Sequence, residues 1–143
     1  MGGGDPSQIN TIDTIQIGTL GNAVDFGDLT VGRAYLGVTS NGTRGVFAGG
    51  NSPNKNEIDF VTITSAGNAT DFGDLSVART TVDACSDGHG GLRAFNPRTP
   101  ELYSPTGKVV SNGFGQGQIG IFNGGEIGGS GTNMTDFITI STL

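Results

Sequence analysis

The chain has 143 residues, the length of one ordinary domain, with 27 glycines and only 14% charged residues where about a quarter is usual. Five prolines, glycines without a three-residue period and recurring short apolar runs exclude collagen and simple disorder. A formal net charge of -6 with 7 Lys plus Arg leaves no basic patch for nucleic acid, and no apolar run nears the roughly 20 residues of a membrane span, so neither nucleic-acid binding nor membrane insertion is expected.

Residues 1–10 read as a flexible arm. MGGGDPSQ has neither the basic nor the apolar part of a signal peptide, and Pro6 stands where a myristoylation signal wants Ser or Thr. The chain is therefore expected to be soluble where it is made. A repeat β domain follows over 11–143. Residues 11–33, TIDTIQIGTLGNAVDFGDLTVGR, match residues 57–79, EIDFVTITSAGNATDFGDLSVAR, at 13 of 23 positions with a constant offset of 46. The units run approximately 11–32 (partial), 33–78, 79–116 and 117–143 (partial).

The first partial unit opens on a third-strand equivalent, Thr11–Ile17, and adds a fourth. The complete unit has strands Arg33–Ser40, Arg44–Ala48, Glu57–Thr64 and Ala69–Leu75. RGVFAGG and IGIFNGG are short apolar runs stopped by a glycine pair, as suits strands covered on both faces. IDFVTIT is rich in β-branched and aromatic residues, and GN or NG dipeptides mark the turns. Residues 97–116 depart from the repeat and read as a separate hairpin. MTDFITIST then supplies another third strand, Met134–Ile140, with Asp136, Phe137 and Ile140 matching Asp59, Phe60 and Ile63. Four-stranded antiparallel units of this length are the blades of β-propellers. The fold class is thus all-β, with about three such units per chain, although the period is also compatible with solenoids and sandwiches.

The repeated DFGD, at Asp25, Phe26, Gly27, Asp28 and at Asp71, Phe72, Gly73, Asp74, lacks the Gly-rich loop, strand Lys and catalytic Asp–Asn loop of a kinase. It reads as geometry: the Phe rings pack inward, the glycines bend the backbone, and the Asp side chains bond nearby amides. The same carboxylate pairs are too few for calcium, which takes six or more oxygens. His89 stands in a loop, SDGHGG, without a nucleophile motif, and Cys85, aligned with Thr39, reads as a small buried side chain. The single cysteine allows no intrachain disulfide. No catalytic, cofactor or metal residues are assigned, and the protein is not expected to be an enzyme. The sequons at Asn41, Asn68 and Asn133 are what so Asn- and Thr-rich a chain produces by chance. Arg33 and Arg79 share one repeat position and Asp13, Asp59 and Asp136 another, a periodicity that predicts contacts between units. Tyr35 and Tyr103 are candidate glycan contacts on a loop face.

The glycine pairs Gly49–Gly50 and Gly124–Gly125 resemble those of Kelch-type blades, without the downstream Trp and with Asn96–Pro97 replacing one pair. IDFVTITSAGNATDFGDLSVAR and TRGVFAGG are similar to phrases in Kelch-like repeat virion proteins of tailed bacteriophages, over most of 11–96 and again at 117–140. That resemblance implies a structural protein on the virion surface, a capsid decoration or a tail or fibre appendage. Its partners would be other virion proteins and a host-surface glycan. A lectin-like glycan-binding propeller module is the alternative. Strand edges left at both ends predict a homo-oligomer, a dimer completing a six-bladed ring or a trimer about a virion axis.

Overall fold

A computed structural model describes residues 8–51, 53–86 and 119–140. Over these residues the protein is all-β, in antiparallel sheets without a helix, and so has among them no helix long and apolar enough to cross a membrane. His89, Tyr103, Asn96–Pro97, the hairpin at 97–116 and residues 1–7 of the arm lie outside the described residues.

In chain order the strands are β1 (Thr11–Thr14), β2 (Val24–Asp28), β3 (Gly37–Ser40), β4 (Arg44–Ala48), β5 (Glu57–Thr62), β6 (Thr70–Asp74), β7 (Asp83–Ser86), β8 (Ile119–Asn123), β9 (Glu126–Ile127), β10 (Ser130–Gly131) and β11 (Thr135–Thr139). Sheet 1 is β1–β2. Sheet 2 is the four-stranded meander β3–β4–β5–β6, and sheet 3 has the order β11–β8–β7, with a small β9–β10 hairpin beside it.

The repeat is visible strand for strand. β7 lies 46 residues after β3, and β8 and β11 take the places of β4 and β5. Both β1–β2 and β5–β6 carry a register shift at the same place, between Ile12 and Asp13 and between Ile58 and Asp59. The extra residue on the other strand is Phe26 in one case and Phe72 in the other. A β-bulge inserts one unpaired residue and bends its strand, and here it turns each Phe ring towards a core, Phe26 to one cluster and Phe72 to the next.

The sheets are layered. Phe47 and Val61 of sheet 2 pack with Ile12, Leu29 and Phe26 of sheet 1, whereas Val46, Ala48 and Ile58 pack with Phe122, Ile138 and Ile140 of sheet 3. Sheet 2 is therefore covered on both faces, which is why RGVFA reads as an unbroken apolar run rather than an alternating one. Covering a thin sheet twice is also how so glycine-rich a chain removes enough apolar surface from water to fold.

Some expected strand bounds need correction. Strand one does not begin at Arg33: Tyr35 takes a left-handed φ of 56°, as does its repeat equivalent Thr81, and this breaks the backbone before Gly37. Arg44–Ala48 is as expected, and four other strands end one to three residues earlier than expected, at Thr14, Thr62, Asp74 and Thr139. β7, from the expected unit 79–116, pairs directly with β8, from the expected unit 117–143. The four-stranded count is met by sheet 2 alone, since the described residues of sheets 1 and 3 supply two and three strands.

Candidate functional site

The repeated polar residues meet between sheets. Arg33 follows sheet 1 and enters sheet 2, where it is fully buried and donates to Asp59 Oδ2 at 2.8 Å, to the Glu57 carbonyl at 3.0 Å and to the Phe47 carbonyl at 3.4 Å. Arg79 does the same one unit later, with Asp136 Oδ2 at 2.8 Å and the Phe122 carbonyl at 3.3 Å. Each acid also gathers the segment leaving the preceding sheet. Asp59 accepts from the Thr30 amide at 3.2 Å and hydroxyl at 2.7 Å, and Asp136 from the Ser76 amide at 3.3 Å. The same constellation, acid on a third strand and arginine from the connecting segment, thus binds sheet 1 to sheet 2 and sheet 2 to sheet 3.

The glycine pairs make room for it. Gly49, Gly50, Gly124 and Gly125 all have positive φ, between 63° and 121°. A Cβ on Gly50 would stand 3.3 Å from Arg33 Cβ, and one on Gly125 would stand 3.4 Å from Arg79 Cδ and 2.6 Å from the Thr80 carbonyl. Gly50 donates its amide to the Arg79 carbonyl at 3.0 Å. A side chain there would displace the arginine segment as well as strain the turn.

A charge at zero exposure is costly unless paired and hydrogen-bonded. Burial lowers the Arg33 pKa against the opposing pull of Asp59 and Glu57, while the Nε of Arg33 and of Arg79 is buried without a hydrogen-bond partner. Burial alone would raise Asp136, but bonds from Ser76 and Arg79 and the Arg79 charge hold it below the usual carboxylate range. Glu57 is lowered likewise, by its own backbone amide, Lys55 and Arg33 against a raising contribution from burial. Such a pair adds little net stability over an apolar replacement; here each ties a connecting segment to the third strand of the next sheet.

The remaining candidates are distributed over the surface. Asp25 Oδ1 accepts from the Gly27 amide and Asp71 Oδ1 from the Gly73 amide, each at 3.1 Å, so the first Asp of each DFGD bonds across its own bulge. Asp28 is tied through its amide to Asn68 Oδ1 at 3.1 Å, whereas Asp74 is exposed at the end of β6. Among the described residues no group of three His, Cys, Asp or Glu is placed to hold a metal. Two sequons do structural work: Asn41 is buried and its Oδ1 accepts from Thr43 and Arg44, while Asn68 braces sheet 1. Cys85 is exposed, not buried, because its side of sheet 3 faces away from sheet 2. Tyr35 is 55% exposed. A shallow concavity of about 240 Å³ beside the β5–β6 turn, lined by Phe60, Thr62, Asn68 and Thr70 among others, contains neither Tyr35 nor any other predicted site residue.

Sequence reasoning predicted that the periodic Arg and Asp residues join units. It missed Thr30 and Ser76, whose shared hydroxyl at offset 46 was the available signal. No protein-family model matches the chain, and no curated protein matches it significantly.

Proposed function

We propose that this chain is a structural module of a bacteriophage virion, a surface decoration or tail or fibre appendage built as a Kelch-like propeller stack. The single observation that carries the structural role is the use of the repeated charges. Arg33, Arg79, Asp59 and Asp136 are engaged in joining sheets, and their carboxylates and guanidiniums point into the stack. A module whose polar repeat positions serve cohesion suits a passive, durable surface component. The virion placement is supported by the resemblance of IDFVTITSAGNATDFGDLSVAR and TRGVFAGG to repeats of tailed-phage virion proteins. Adhesion to a host glycan would use the loop face that presents Tyr35.

Mass spectrometry of purified particles from the source tests the placement. The reading expects the protein at a fixed copy number per particle, and its absence from particles overturns it. A glycan array on the isolated protein separates the lectin-like alternative, which requires saturable binding that Tyr35→Ala abolishes.

A further inference from the structure

Thr39, Val46 and Phe60 stand directly opposite one another across β3, β4 and β5, a row on the face of sheet 2 that sheet 3 covers. Thr39 and Val46 are 6% and 0% exposed there. The equivalent row in sheet 3 is Cys85, Ile121 and Phe137. Here it is open: Phe137 is 74% exposed, Ile121 36% and the adjacent Ile119 44%. Ile119 replaces Arg44, which in sheet 2 lies over the Phe60 ring and donates to the Ile140 carbonyl of sheet 3. The open face is thus more apolar than its covered counterpart.

The opposite end of the stack shows the converse. Val61, 7% exposed, belongs to the face of sheet 2 that seats on sheet 1. Its equivalent at the offset of 46 is Ile15, which directly follows β1, is 63% exposed and is followed by Ile17 at 94%. The two ends therefore carry the two halves of an interface that the chain builds twice within itself. An exposed apolar patch of this kind marks an interaction site, and here its complement is on the page.

We propose that a second copy of this chain docks head to tail, with its Ile15 face on the Ile121–Phe137 face of the first, continuing the stacking of the sheets. The contact is heterologous, and it closes a ring or extends a stack according to the rotation per copy. This inference rests on the internal interfaces and stands or falls apart from the virion reading.

Native mass spectrometry of the purified chain, with Ile15→Glu and Phe137→Lys, tests it. The wild type should show an integral multiple of the chain mass, each variant alone should be monomeric, and a mixture of the two should give a one-to-one dimer, since the mixture restores one intact pair of faces. A monomeric wild type overturns the proposal, and so does an Ile15→Glu protein that self-associates like the wild type, which would mean a face-to-face contact through Phe137. Should a variant lose its β-sheet circular dichroism, thiol labelling of Cys85 in the wild type decides. The proposal expects protection that falls on dilution, and labelling at the same rate at all concentrations contradicts it.

Discussion

Sheets 2 and 3 receive the same arginine by the same route, yet the first junction is deeper than the second. Asp59 is fully buried, whereas the Asp136 side chain is 19% exposed. The difference follows from cover. Sheet 2 has a sheet on each side, while the described residues leave sheet 3 with a neighbour on one side only. One motif therefore takes its energetic weight from its neighbours rather than from its own residues.

Removing one acid at a time gives the largest contrast. Asp59→Ala strands the Arg33 charge in a dry site and should cost about 3–5 kcal/mol in denaturant unfolding, whereas Asp136→Ala, where water reaches the carboxylate, should cost roughly half as much. Equal losses would break the comparison. The DFGD glycines come next. A Cβ on Gly27 would collide with the Gly67 carbonyl of the neighbouring segment, while one on Gly73 meets nothing within 4 Å. Both have positive φ, 146° and 137°, so Gly73→Ala should cost about 1–2 kcal/mol from the backbone alone and Gly27→Ala about 3 kcal/mol or more.

Phe60 and Phe137 are repeat equivalents with unlike surroundings. Phe60 packs edge-on against Phe72 with centroids 6.0 Å apart and lies under the Arg44 guanidinium at 4.7 Å. Phe60→Ala should cost about 2 kcal/mol and Phe137→Ala no more than about 0.5 kcal/mol in the monomer, read from thermal or denaturant unfolding. The smallest effect concerns pH. Because the folded Asp136 carboxyl lies below its unfolded value, its contribution is present above the usual carboxylate range and is lost as pH falls through the folded value. Asp136→Asn should therefore flatten the acid side of the stability profile, and an unchanged acid limb would show that the second junction carries no titrating load.

Much of this was legible in the sequence because the repeat is nearly in register. The offset of 46 placed Arg33 over Arg79 and Asp13 over Asp59, and the glycine pair marked where a strand stops. What escaped depends on distant packing. At the left-handed turn the Tyr35 carbonyl accepts the Thr81 amide at 2.9 Å, a partner one unit away. The pairing of β7 with β8 crosses residues 97–116, which depart from the repeat, so the sequence placed a unit boundary where one sheet forms. Cys85 aligned with a buried Thr39, but alignment cannot say whether another sheet covers the face.

The most direct test of a stack held in register by buried arginine–aspartate junctions is a double-mutant cycle on Arg33→Met and Asp59→Leu, by denaturant unfolding. The account predicts two strongly destabilised single variants and a double variant that falls short of the summed single losses by a coupling energy of about 2–3 kcal/mol. Single losses that simply add would contradict it, because Arg33 and Asp59 would then not act as one junction between sheets.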